Sequence, residues 1–107
     1  MLRMHVLFDL KDGSDEGSFH EALENFAAHM LTEDFIVGWE LGRRHPHAQF
    51  DNTTSTNAYL AVMEFDNRSQ ADAAIAYIHE HKEPTQSLHS DVFSRVRDAQ
   101  FLFYEQV

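Results

Sequence analysis

The chain opens on MLRMHVLFDL, in which Leu2, Met4, Val6, Phe8 and Leu10 alternate with Arg3, His5, Leu7 and Asp9. Side chains of a strand point alternately to its two faces, so this period of two predicts a strand with one wholly apolar face. A turn-rich stretch, KDGSDEGS, follows, and the period then changes. Phe19, Ala22, Leu23, Phe26, Ala27 and Met30 recur at three- and four-residue steps, which is the stripe of an amphipathic helix. Ser18 stands three residues before Glu21, the spacing of a capping box that satisfies orphan N–H groups at a helix start. The helix is therefore expected to begin at Ser18 and to end between Leu31 and Asp34.

In FIVGWELGRR, Phe35, Val37, Trp39 and Leu41 alternate with Ile36, Gly38, Glu40 and Gly42, predicting a second strand weakened by its glycines. Residues 45–57 show almost no periodicity and read as a long polar loop. A third strand is expected in AYLAVMEF, with Tyr59, Ala61, Met63 and Phe65 opposing Leu60, Val62 and Glu64. Asn67 and Gln70 repeat the capping spacing, with Ser69 as an alternative cap, ahead of a helix carrying Ala71, Ala74, Ile75 and Ile78. Pro84 limits that helix. Leu88, Val92, Phe93 and Val96 suit one or two helical turns laid on the domain, and AQFLFYEQV supplies a last strand.

The order is β-α-β-β-α-β, the ferredoxin-like pattern, which as an α+β fold sets two helices on one face of a four-stranded antiparallel sheet. We read residues 1–107 as a single domain of this kind. A sheet covered on one side should show polar residues on its open side. Here that side is expected to carry Leu7, Ile36, Leu60, Val62, Leu102 and Tyr104. The chain has no further long helix or sheet to cover them, so a second copy related by a two-fold axis is the expected cover, making a homodimer.

In this order of elements, in its HVLFDLK first strand and in the His89-containing turn before a Phe- and Tyr-rich last strand, the chain resembles the dimeric α/β-barrel superfamily. The likeness is greatest to the stress-responsive A/B-barrel group and to small uncharacterised bacterial relatives. It implies two ferredoxin-like subunits whose sheets face each other in a barrel. Other members of the superfamily are quinone-forming monooxygenases without cofactor and haem-degrading monooxygenases. The haem-degrading pattern of an Asn on the first strand with a Trp and a His is broken here, since the first strand has no Asn and Trp39 lies on the second.

Composition narrows the choices. A formal net charge of −10 opposes nucleic acid and anionic membranes, both polyanions. RNA-recognition domains share the topology, but AYLAVMEF lacks the basic, glycine-containing aromatic motif they carry on the third strand. Without Cys there is no disulfide, thiolate metal site or cysteine nucleophile. No run is long and apolar enough for a membrane span, and no leader pattern opens the chain, so a cytoplasmic protein is expected. Protonating the eight His would cancel most of the negative charge and lower solubility near pH ~5.

His79 and His81 sit two residues apart on a helix end, a step of about 200° that makes them diverge. His45 and His47 flank Pro46 but lack further ligands. No metal is expected. Asp12, Asp15 and Glu16 lack calcium-loop spacing and read as a solvated turn; Ser87, His89 and Asp91 are sequence neighbours, not a hydrolytic triad. The pocket candidates are His5, Trp39, Tyr59, His89 and Tyr104. His5 would face the dimer interface or an enclosed cavity, as a base or as a hydrogen-bonding partner of the other subunit; His89 would meet the same cavity or cap the barrel mouth. The aromatic residues would wall a planar ligand or simply pack.

The sequence thus points to a homodimer that binds a small apolar or aromatic molecule without a cofactor. Two alternatives stand beside this reading. One is a cofactor-independent monooxygenase or isomerase acting on an aromatic or polyketide-like substrate, and the other is a structural dimer module with no ligand.

Overall fold

The alternation in the first ten residues becomes one of the two interior strands of the sheet. In the computed structural model, which describes residues 1–51 and 57–107, strand β1 (Leu2–Leu10) pairs antiparallel with both neighbours. These are β3 (Tyr59–Phe65) and β4 (Val96–Glu105). Strand β2 (Gly38–Arg43) pairs with β3, giving the order β2-β3-β1-β4, with β2 and β4 at the edges. Helices α1 (Glu16–Thr32), α2 (Arg68–His79) and α3 (Thr85–Phe93) complete the chain. This is the ferredoxin-like α+β architecture.

The core lies between the helices and one face of the sheet. The six apolar residues of the α1 stripe, Phe19, Ala22, Leu23, Phe26, Ala27 and Met30, are all buried. They meet Phe8, Ala61, Met63 and Phe65 from the sheet, and Ala71, Ala74 and Val92 from the other two helices. Phe8 is the pivot. Its ring is 5.0 Å from that of Phe19 and stacks on Tyr59 at 5.5 Å.

Several local expectations change. The N-cap of α1 is Asp15, not Ser18: the Asp15 carboxylate accepts from Ser18 N at 2.8 Å and from Ser18 Oγ at 2.8 Å. A carboxylate also favours the positive end of the helix dipole, so the chain starts the helix three residues earlier. Asp15 and Glu16 thus open a helix instead of lying in a solvated turn. Strand β2 starts at Gly38, and Ile36, expected on the open face, is buried in the helix-side core. The cause is Asp34, whose φ of 60° breaks the backbone after α1 and turns both Phe35 and Ile36 inward. Phe35 stacks on Tyr77 at 4.3 Å. The last strand begins at Val96, before the expected start at Ala99, and α3 is a nine-residue helix packed chiefly on α1.

The cap of α2 is as expected: Asn67 accepts from Gln70 N at 2.9 Å. Gln70 answers to Asp66 N at 2.7 Å, one residue before the cap. Of the polar loop expected at 45–57, residues 52–56 lie outside the described residues; Arg44 at its start holds Asp51 at 2.7 Å.

Replacing Asn67 by Ala removes the acceptor for an orphan N–H of α2 and is expected to cost about 1 kcal/mol. Urea unfolding measures it, with Asn67→Ser keeping most of the stability.

Candidate functional site

The alternation along β1 sends its residues to two different surfaces, and the candidate residues divide with it. On the face away from the helices, pairing across the sheet sets side chains in rows. One row runs Gly38, Glu64, Arg3, Tyr104; the next runs Glu40, Val62, His5, Leu102; the third runs Gly42, Leu60, Leu7, Gln100. Arg3 Nε donates to Glu64 Oε2 at 3.0 Å. Glu64 lies where a side chain on residue 38 would stand, since a Cβ there would meet its Oε1 at 2.6 Å. His5 and Tyr104 are neighbours with ring centroids 5.2 Å apart, edge to face. Leu102 and Tyr104 project from the sheet at 40% and 58% exposure.

At the end of this face is a partly buried polar knot, centred on the buried Asn57, that the sequence gives no sign of. Asn57 Nδ2 donates to Asp9 Oδ2 and to the Asp98 carbonyl, both at 3.1 Å. Gln100 Nε2 donates to Asn57 Oδ1 at 2.6 Å, and Ala58 N donates to Asp9 Oδ1 at 2.8 Å. Its members come from three strands or their ends and meet because β4 carries a bulge, with Asp98 at φ 55° and the register shifting between Leu7 and Asp9. A bulge adds a residue that alternation cannot announce.

The other face holds the remaining candidates, but at separate places. Trp39 is half-buried against the core, 6.3 Å from the ring of His20. The Tyr59 hydroxyl donates to Glu16 Oε2 at 3.2 Å, and Glu16 also accepts from Arg43. The Arg43 guanidinium holds the Glu16 carboxyl below its usual range, while burial and then the Glu16 bond push the Tyr59 phenol up. These three residues are far apart in sequence, so the trio could not be read from spacing. They border an open polar hollow of about 370 Å³ together with His20.

His89 alone among the candidates lines the apolar space beneath the helices. Between the sheet and the helices is a cavity of about 110 Å³, floored by Met4, Val6 and Met63 and roofed by Leu23, Phe26 and Ile78. Its mouth is set by the residues of its wall that are exposed: Ile75 on α2, Phe93 on α3 and Phe101 on β4, at 38%, 44% and 50%. The His89 ring is 5.5 Å from Phe26 and stacks on Phe93 at 5.4 Å, and Phe93 in turn stacks on Phe101 at 6.1 Å. Burial, and then the charge of nearby His79 and His81, hold the His89 imidazole below its usual range, so it is neutral near pH 7.

His5 and Tyr104 are thus brought together on one face, His89 stands in a cavity on the other, and Trp39 and Tyr59 stand apart from both. Among the described residues no cluster of three or more His, Asp or Glu is placed to hold a metal ion. No helix among them is long and apolar enough to cross a membrane.

The chain belongs to the family of unknown function DUF6614, whose model matches residues 1–107. No curated protein matches its sequence. Solved structures share the fold at low identity. Arabidopsis thaliana At3g17210 is 10% identical with a TM-score of 0.77, over 100% of this chain and 96% of that one. SnoaB, a cofactor-independent oxygenase from Streptomyces nogalater, is 11% identical with a TM-score of 0.70, over 98% and 91%. A dimeric ferredoxin-like protein of unknown function from Jannaschia sp. CCS1 is 12% identical with a TM-score of 0.67, over 98% of both chains.

The lowered affinity of His89 for protons has a signed consequence. Its contribution as a neutral side chain is complete above the ordinary value of 6.5 and is lost as the pH falls through its lower folded value, because the unfolded chain then takes the proton more readily. Urea unfolding at about pH 7.5 and about pH 5.5 is expected to show a larger loss on acidification for the native chain than for His89→Leu, which shares every other titrating group.

Proposed function

We propose that the chain works as a homodimer of facing sheets, and that each subunit binds one small apolar molecule in the cavity between its helices and its sheet. The observation that carries the binding half is the cavity itself, about 110 Å³ of space walled almost wholly by apolar side chains and open at one end. Well-packed interiors leave few voids larger than a water molecule. An apolar void stays dry and gains by taking an apolar guest. A structural dimer without ligand would be expected to fill this space.

Size limits the guest. Drug-sized ligands occupy sites of about 300 Å³ or more, so a polyketide-like substrate does not fit inside. An enzymatic use of the cavity has less behind it than binding. His89 is the one titratable group in its wall, with no second polar side chain there to orient it or a substrate.

The dimer half rests on the other face. Leu7, Leu60, Val62 and Leu102 are the apolar members of two adjacent rows on this face, over which no helix of the described residues lies, and the Jannaschia relative is described as dimeric. Relief across this face also suits a second copy. Strand β2 is low at Gly42, where a side chain would have room on this face, while β4 offers the projecting Leu102 and Tyr104. A two-fold axis between the sheets and parallel to the strands would lay the β4 edge of each over the β2 edge of the other.

Toluene tests the cavity. Binding only to the folded state raises the unfolding midpoint in proportion to the logarithm of ligand in excess of Kd, so a saturable rise in Tm is expected. No rise up to the solubility limit of toluene would sink the binding reading. Leu102→Arg tests the assembly: analytical ultracentrifugation is expected to find a dimer for the native chain and a folded monomer for the variant. A native chain that sediments as a monomer removes the facing-sheet arrangement.

A further inference from the structure

Size and apolarity define a guest only coarsely; the one polar group in the wall defines it more narrowly. His89 lines the cavity, is only partly buried, and stacks its ring on Phe93, one of the exposed residues at the mouth. Among the described residues nothing hydrogen-bonds its imidazole: its neighbours are the rings of Phe26 and Phe93. A polar side chain without a protein partner in an apolar wall is a place where a ligand gains by supplying one. The interior beyond it offers no second polar group and no cation.

We propose that the guest is a neutral molecule of about the size of one aromatic ring that carries a single hydroxyl, its ring in the cavity and its hydroxyl donating to His89 at the mouth. The proposal rests on the cavity-binding reading above. Three features select this class. The space of about 110 Å³ is somewhat smaller than the ~150 Å³ apolar cavity that holds a benzene ring, and since it is open at one end a ring fits with one edge in the mouth. That edge is where a polar substituent escapes burial and meets the imidazole. A carboxylate is selected against, because the wall holds no Arg or Lys and the chain as a whole carries a formal charge of −10.

The neutrality of His89 near pH 7 supports the direction of the hydrogen bond. A neutral imidazole keeps one nitrogen as an acceptor, and a phenolic O–H is a strong donor to it. The parallel rings of His89, Phe93 and Phe101, inclined to one another by 21° and 12°, add a π surface beside the mouth against which a planar guest packs better than a branched one.

Four probes bound to the full-length chain test this by calorimetry or ligand-observed NMR near pH 7.5: p-cresol, its methyl ether 4-methylanisole, toluene and benzoate. The expected order places p-cresol about tenfold tighter than toluene and 4-methylanisole, which lack the donor, with benzoate unbound. In His89→Leu the advantage of p-cresol over toluene is expected to vanish while toluene still binds, and in His89→Gln part of it should return. Toluene binding to each variant also reports that its cavity is intact. Equal binding of p-cresol and 4-methylanisole to the native chain overturns the proposal without touching the cavity reading, and needs no variant to fold. Survival of the p-cresol advantage in His89→Leu overturns the role of His89. If none of the probes binds, the cavity reading fails and this proposal goes with it.

Discussion

Strand β1 is the constraint on which the rest of the molecule depends. It is paired on both sides, to β3 and to the long β4, and its even-numbered residues build the core while its odd-numbered ones build the opposite face. A slip of one residue in its register would exchange the two sets. Phe8, packed between Phe19 and Tyr59, makes that slip costly, since it would trade a buried phenylalanine for Asp9. Two surfaces of different character follow from this one strand: an apolar cavity under the helices and a broad mixed face on the other side.

Separation of the two surfaces also separates their chemistry. His5 stands among Val62 and Leu102, at a place that assembly would cover. His89 stands on the opposite side of the sheet, between phenylalanine rings, where desolvation keeps it neutral. Two histidines that look equivalent in a list of candidates therefore face different environments. Neither one can assist the other through the sheet that lies between them.

Much of the fold was legible in periodicity because burial imposes it. The α1 stripe is buried residue for residue, and the Asn67 cap forms as its spacing implies. What stayed hidden depends on backbone breaks and distant encounters. The turn at Asp34 sends Ile36 inward, and only its φ of 60° shows it. Asp15 outbids Ser18 as the α1 cap because both can accept and only the contact decides. Of the candidate site, the sequence could name His5, Trp39, Tyr59, His89 and Tyr104 together, but not that only His89 of the five lines the apolar cavity, because that depends on where the helices close over the sheet. The Asn57 knot and the Glu16–Tyr59–Arg43 trio join residues too distant in sequence for any local pattern to reveal.

Strand β4 combines properties that proteins usually keep apart. It is ten residues long, lies at an edge, and its Phe101, Leu102, Phe103 and Tyr104 are all at least 40% exposed. A long apolar edge is a template onto which another chain can add strand by strand. Two features of this molecule oppose stacking of that kind: the bulge at Asp98, which interrupts the edge, and the formal net charge of −10, which makes copies repel. Acidification that charges the histidines would weaken this repulsion while leaving the edge unchanged, so the solubility of the whole protein is tied to the one strand that its own helices leave half uncovered.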